Sequence, residues 1–465
     1  MTAELKKVSF SYEGSSEGAL YDVDLKIRDG EFVVLIGKSG CGKTTITRLI
    51  NGISPYYLKG DLTGEVLLGE RPVGERKSYE LAGIVGSVFQ NPRTQFFNTD
   101  TDSELAFGLE NMGMDADAII RRMDEVTSEM DIAYLRDRNI FQLSGGEKQK
   151  IAFSGIYAAR PEIYVLDEPS SNLDEKGIGL LKRSLEKIKA QGRTVLCAEH
   201  RLYYLADLAD RFVWLKDGRI KGEFTQEEML GFSDETLAEM GLRSVRETMT
   251  DPEKISYGDD DRKGLRLEHL ELFRGKKRLN DEINISIPRG CVTGIVGENG
   301  VGKSTLLRTL AGLHSQYKGE IYLEGAKQNS GQLLKNSFMV MQDVNYQLFA
   351  ESVYRECTLG QKGISKKQIE EVLTRLDLYG LKDRHPNTIS GGQKQRLSIA
   401  VGLISNRDVI LFDEPTSGLD AGNMRRVADI VMDLKRQDKY VIIVSHDQEF
   451  MNLCCDRIIA IHQSN

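Results

Sequence analysis

Lys43 and Lys303 each close a glycine-punctuated run whose spacing suits phosphate. The first run reads Gly37-Lys38-Ser39-Gly40-Cys41-Gly42-Lys43-Thr44 and the second Gly297-Glu298-Asn299-Gly300-Val301-Gly302-Lys303-Ser304, both fitting G-x-x-x-x-G-K-[ST]. The glycines let the backbone curl until successive amide N–H groups face inward. The helix expected next adds roughly half a positive charge at its first turn. The lysines then reach the outer phosphates, and the hydroxyls of Thr44 and Ser304 suit a magnesium ion that keeps most of its waters. Thr45 and Thr305 follow directly in the same phosphate site.

Further reactive groups recur in the same order. The apolar run from Ile163 to Leu166 ends in Asp167-Glu168, and that from Val409 to Phe412 ends in Asp413-Glu414. Such runs suit parallel strands buried on both faces, whose C-terminal ends are where α/β sheets place ligands. The first acid of each pair is placed to hold magnesium through water, and Glu168 or Glu414 to polarise an attacking water, since phosphoryl transfer needs positioning and charge stabilisation. Leu143-Ser144-Gly145-Gly146-Glu147 recurs as Ile389-Ser390-Gly391-Gly392-Gln393, in both cases with the serine 24 residues before the glutamate, and each opens a helix as a second anion site. His200 and His446 follow 32 residues after the glutamates, each at the end of an apolar strand. Taken singly, an Asp-Glu pair also suits a solvated strand end, and a histidine there suits a structural hydrogen bond. Repetition at equal spacing selects the chemical reading.

With these motifs the chain resembles a tandem ATP-binding-cassette (ABC) ATPase, the LSGGQ-type stretch separating that family from other phosphate-loop proteins. The resemblance covers nearly the whole chain. It implies an α/β fold of two fused cassettes, each a P-loop core with an antiparallel β subdomain and a helical signature subdomain, arranged head to tail as an intramolecular dimer. It implies ATP and Mg2+ as ligands, and Gln90 and Gln342 as the glutamines that sense the metal and the attacking water. Ser171-Asn172-Leu173-Asp174 and Ser417-Gly418-Leu419-Asp420 match the loop communicating between sites. Tyr12 matches the aromatic that stacks on adenine, and Phe273 is its counterpart across a one-residue gap. Head to tail, one site would combine Lys43, Thr44, Gln90, Asp167, Glu168 and His200 with Ser390, Gly391 and Gly392. The other would combine Lys303, Ser304, Gln342, Asp413, Glu414 and His446 with Ser144, Gly145 and Gly146.

The elements that must position these groups set the domain plan. A chain of 465 residues suits two domains, expected over 1–225 and 264–465 with an acidic linker over 226–263 that contains Asp251-Pro252-Glu253 and Asp259-Asp260-Asp261. Gln226 to Met240 has apolar spacing compatible with a short helix, although a charged linker on the surface accounts for the composition as well. Lys43 to Lys303 is an offset of 260, Gln90 to Gln342 of 252, and Ser144 to Ser390 of 246, so half one carries 14 extra residues before its signature.

The net charge of -8 gives no support to a nucleic-acid partner, which needs clustered lysine and arginine. The six cysteines show no C-x-x-C pair, as expected of a reduced cytosolic protein. Cys41 suits a small residue filling its place in the loop; the alternative is that nearby Lys43 lowers its thiol pKa and sensitises it to oxidants when nucleotide is absent. No apolar run is long enough to cross a bilayer and MTAELKKVSF is no signal peptide, so a transporter's membrane part is expected on another chain.

Gln90-Asn91-Pro92-Arg93-Thr94-Gln95-Phe96-Phe97 and the acidic segment from Thr101 to Asn111 are similar to the ATPases of energy-coupling-factor importers, as is Glu199-His200-Arg201-Leu202. Half two keeps Gln347-Leu348-Phe349 and Glu356 but lacks the Asn-Pro. The resemblance implies a motor at the cytoplasmic face of the membrane, peripheral to a transmembrane coupling subunit and a membrane substrate-binding subunit, serving a vitamin, a vitamin precursor or a metal ion. Aromatics beside acids would form a groove for a basic, apolar coupling helix. Ordinary helix packing accounts for the same residues, with Thr101-x-x-Glu104 as a capping box and Phe96, Phe97 and Phe107 as core. Two other readings stay open: the tandem ATPase of a sugar or other solute importer, and a soluble twin-cassette translation or repair factor.

Overall fold

The computed structural model describes residues 1–15, 17–90, 95–171, 173–249, 254, 264–361 and 363–462. Asn91 to Thr94, Asn172, Asp251-Pro252-Glu253 and Asp259-Asp260-Asp261 therefore lie outside the described residues. The chain divides into two compact units, Met1–Glu247 with Asp420–Gly422, and Thr248–Leu419 with Asn423–Asn465.

In the first unit, β1 (Ala3–Tyr12), β2 (Leu20–Ile27), β4 (Gly60–Leu68) and β5 (Arg71–Pro72) form a four-stranded sheet in the order β2-β1-β4-β5, antiparallel throughout. A six-stranded sheet runs β10-β9-β3-β8-β7-β6, from β3 (Phe32–Ile36), β6 (Val85–Val88), β7 (Ile163–Asp167), β8 (Thr194–Ala198), β9 (Arg211–Lys216) and β10 (Arg219–Thr225). Only the β9–β10 pairing in it is antiparallel. The pleat explains why its strands are continuously apolar. Phe32, Val34 and Ile36 enter the core on one face, and Val33 and Leu35 the core beneath the antiparallel sheet. Between β3 and β4 lies α1 (Lys43–Ile50), with α2 (Ser78–Ile84) before β6. The helices α3 (Thr101–Asn111), α4 (Ala116–Glu129) and α5 (Gly145–Ala159) follow β6, and α6 (Glu175–Ala190) follows β7.

The stretch after Thr225 is not a surface linker at its start. Thr225 and Glu228 form a capping box on α7 (Gln226–Gly231), Ser233 caps α8 (Asp234–Glu239), and Met229, Leu237, Leu242 and Val245 are buried in the same core as Phe212. The physical reason is amphipathicity: the acids face water while these apolar residues cover the end of the sheet.

The second unit repeats the plan. β11 (Leu265–Arg274) pairs with β13 (Ile283–Ile287), β15 (Tyr317–Leu323) and the short β12 (Lys277–Arg278), and β16 (Ala326–Lys327) extends β15. A parallel sheet runs β17-β18-β19-β14-β20, from β14 (Val292–Val296), β17 (Ser337–Val340), β18 (Val409–Asp413), β19 (Tyr440–Val444) and β20 (Arg457–Ala460). Its α9 (Lys303–Leu310) and α10 (Ser330–Asn336) match α1 and α2. Its α11 (Val353–Thr358) and α12 (Lys366–Arg375) are shorter than α3 and α4, which locates part of half one's extra length. Then come α13 (Gly391–Ile404), α14 (Ala421–Arg436) and α15 (Gln448–Cys454).

Candidate active site

Both glycine-rich runs form the turn the sequence requires, between β3 and α1 and between β14 and α9. Gly42 and Gly302 stand immediately before the helices with φ of 109° and 100°, a left-handed conformation that favours glycine. Lys43 is buried, and its Nζ donates to Gly37 O at 2.8 Å and Lys38 O at 3.1 Å. Lys303 does the same to Gly297 O at 2.6 Å and Glu298 O at 2.9 Å. Each ammonium thus spans its own loop on the side where phosphate oxygens are expected. Tyr12 OH lies 3.2 Å from Thr45 Oγ1 and accepts from Arg48 at 3.2 Å, which sets its ring beside α1. Phe273 sits at the end of β11, half-buried under the Lys318 ammonium.

Thr44 Oγ1 donates to Asp167 Oδ1 at 3.0 Å, and Ser304 Oγ to Asp413 Oδ1 at 3.0 Å. A hydroxyl beside one carboxylate is a hard-oxygen donor set that fits Mg2+, which is held by one or two carboxylates together with waters and phosphates. Among the described residues no group of three His, Cys, Asp or Glu could hold a metal ion by itself. Burial, and then the charge of Glu168, push Asp167 up to about 6; burial likewise raises Asp413.

Glu168 and Glu414 are held in the left-handed region, φ 48° and 49°, which costs a non-glycine residue roughly 1–2 kcal/mol. Ladder bonds from Glu168 N to Ala198 O (2.8 Å) and from Glu414 N to Val444 O (2.9 Å) hold that geometry. Gln90 Nε2 donates to Glu168 Oε2 at 2.6 Å, and His200 Nε2 lies 3.4 Å from both Glu168 Oε1 and Lys43 Nζ. Burial opposes ionisation of Glu168, but the hydrogen bond and charge of His200, the Lys43 charge and the Gln90 hydrogen bond outweigh it and keep the carboxyl low. Adjacent carboxyls pushed apart in this way suit a metal ligand and a base. In half two, Ser445 Oγ and His446 N donate to Glu414 Oε2 at 3.2 Å each. His446 Nε2 lies 3.2 Å from Asn299 Oδ1 and 3.7 Å from Glu414 Oε1.

Within each half the loop lysine, hydroxyl, aspartate, glutamate and histidine are therefore brought together, with Gln90 joining them in half one. The signature residues open separate helices, Gly145 and Gly146 beginning α5 and Gly391 and Gly392 beginning α13. Ser144 and Ser390 cap them, accepting from Glu147 N and Gln393 N. Ser144 Oγ also donates to Glu147 Oε2 at 2.8 Å.

Two alternatives left open by the sequence close here. Cys41 is a buried filler and not an activated thiol: burial raises its pKa, and the Lys43 charge only partly opposes this. Phe97 is not core but exposed, stacked on Phe107 at 5.0 Å. A clamp not singled out from sequence holds it there. Glu104 Oε2 accepts from Phe97 N (3.1 Å) and Asn98 N (2.9 Å), and Gln95 bridges Ser87 O and Phe89 N. Half two repeats the clamp with Glu356 on Phe349 N (2.8 Å) and Ala350 N (2.7 Å), and with Gln347 on Met339 O and Met341 N. The shared offset of 252 for Gln95 and Gln347, Glu104 and Glu356 was the available signal.

The family model for ABC transporters matches residues 20–171 and 280–417. A Treponema denticola protein named "Putative ABC transporter ATP-binding protein" is 44% identical over 460 residues, 98% of this chain and 94% of that protein. The Bacillus subtilis "Putative HMP/thiamine import ATP-binding protein YkoD" is 32% identical over 492 residues, 99% of this chain and 90% of that protein. A chain in a model of ribosome-bound archaeal Pelota and ABCE1 shares the fold, with a TM-score of 0.70 at 21% identity, covering 99% of this chain and 78% of that one. Two matched cassettes with their phosphate loops, acidic pairs and signature helices in place put the chain in the ABC transporter family, as a tandem ATPase that binds ATP with Mg2+ and hydrolyses it.

Proposed function

We propose that this chain is the motor subunit of an energy-coupling-factor type importer, working at the cytoplasmic face of a membrane beneath separate membrane subunits. The observation that carries this reading is the clamp that displays Phe97 and Phe349, 77% and 73% exposed, directly after the segments following Gln90 and Gln342. Display of a large aromatic by the same backbone clamp at two equivalent points suits coverage by a partner. In half one a cleft of about 620 Å³ lies beside the clamp, with Tyr56, Tyr57, Leu81, Phe89, Arg76 and Gln95 among its lining residues. Its size and aromatic walls suit an apolar helix end, although the basic Arg76 and Lys77 replace the acids expected there. The named import role of the Bacillus subtilis relative supports a vitamin precursor as cargo.

In this reading Lys43 and Glu168 serve the ATP of half one, and Lys303 and Glu414 that of half two. Fusion keeps the halves at an effective concentration of roughly millimolar order. Glu168 and Glu414 polarise the attacking water, and Asp167 and Asp413 with Thr44 and Ser304 hold Mg2+. Each histidine, at the end of its strand, steadies its glutamate.

Fractionation of cells producing the chain, with uptake of a labelled thiamine precursor measured alongside, tests the proposal. The expected result is membrane association released by combined Phe97→Ala and Phe349→Ala with basal ATPase retained, and uptake lost with it. Co-sedimentation of the wild-type chain with ribosomes, and uptake indifferent to its deletion, would contradict it.

A further inference from the structure

The two histidines are set by different neighbours. In half two, Ser445 precedes His446 and Asp447 follows it. Ser445 Oγ donates to Glu414 Oε2 at 3.2 Å, while Asp447 accepts from Thr416 Oγ1 at 2.8 Å and Phe450 N at 3.2 Å. In half one, at the same offset of 246, the carboxylate has moved to the other side of the histidine: Glu199 precedes His200 and Arg201 follows it. Glu199 is 3% exposed, and four donors converge on it: Ser170 N at 3.3 Å, His200 N at 2.7 Å, Arg201 N at 3.1 Å and Tyr204 OH at 2.8 Å. Ser170 and Tyr204 occupy the positions of Thr416 and Phe450. Four positions have therefore changed together, and the tie between the loop after the glutamate and the turn carrying the histidine is kept by another route.

The exchange has a chemical consequence. A carboxylate at 199 has no proton to give Glu168, so the donation that Ser445 makes to Glu414 has no equivalent there. The Glu168 carboxylate is instead met by Gln90 and His200. The link from Ser170 N through the Glu199 carboxylate to His200 N lies two residues beyond Glu168.

We propose that Glu199 is a positioning residue for ATP hydrolysis in half one, tying Ser170, two residues beyond Glu168, to His200 and so fixing the 3.4 Å Glu168–His200 approach. This rests on the reading of Glu168 as the group that polarises water. The role is specific to half one, because half two has Ser445 at that position and ties its loops through Asp447.

Steady-state ATPase of the full chain tests it, with Glu168→Gln setting the scale of a lost half-one site. Glu199→Gln keeps the shape but cannot accept four donors. It is expected to lose most of the kcat that Glu168→Gln loses, with KM for ATP within about twofold of wild type. Exchanging all four positions for those of half two (Glu199→Ser, Arg201→Asp, Ser170→Thr, Tyr204→Phe) is expected to restore more than half of that loss. Wild-type kcat in Glu199→Gln would overturn the proposal. So would a four-residue exchange that melts like wild type yet turns over no faster than Glu168→Gln; where Glu199→Gln does not fold, the exchange decides alone. Full turnover in Glu168→Gln would instead remove the base assignment itself, whatever Glu199 does.

Discussion

At Gly37 the backbone has φ 145°, and a Cβ built there would collide with Leu215 O and meet Cys41 Sγ at 2.7 Å. Gly40, three residues on, has φ 80° but nothing within 4 Å of an added Cβ. The motif requires Gly37 and leaves position 40 open, and the fold agrees in making only Gly37 a close backbone approach. Gly37→Ala is expected to destabilise the chain by more than about 3 kcal/mol, because backbone must shift, and Gly40→Ala by about 1 kcal/mol, the left-handed penalty alone. Thermal unfolding of the two variants checks the order, and equal losses would contradict it. For Cys41, directly after Gly40, proximity to Lys43 is visible in the chain and burial is not, so the structure decides for the small filler over the activated thiol. With its pKa raised by burial, Cys41 is expected to alkylate more slowly at pH 8 than an unfolded control and to gain reactivity only at higher pH. Mass-spectrometric mapping of iodoacetamide adducts reads this directly.

Among the elements, apolar strands and capped helices were legible because period and cap chemistry are local properties. β7 and β18 are buried along their whole length, as their runs of apolar residues implied, and Ser144 and Ser390 cap the signature helices. What was not legible depends on pairings distant in sequence or on side chains that satisfy backbone: Glu199 with Ser170, Glu104 with Phe97, and the burial of Met229 and Leu237 beyond the expected domain end. Asp100 gives a test at this scale. It caps α3, accepting from Ser103 N at 2.8 Å, and that hydrogen bond holds its carboxyl below the usual carboxylate range. A depressed carboxyl stabilises above its unfolded pKa, and the contribution is lost as pH falls through the folded value. Asp100→Ala is therefore expected to cost about 1 kcal/mol at pH 7 and less at pH 3. A wild-type advantage that grows on acidification would contradict the cap.

Across the whole molecule, two cassettes share one chain and one order of parts, yet they are not copies. Half one carries longer helices between Gln90 and its signature, Glu147 where half two has Gln393, and Glu199 where half two has Ser445. What they share is a glutamate at the end of a buried strand, held in a strained conformation beside a histidine, and the central claim is that these two glutamates polarise the water that splits ATP. Phosphate release and equilibrium ATP binding by the full chain carrying Glu168→Gln and Glu414→Gln together test it most directly. ATP binding within a few-fold of wild type is expected, with no sustained release of phosphate. Steady-state turnover persisting in that double variant would contradict it.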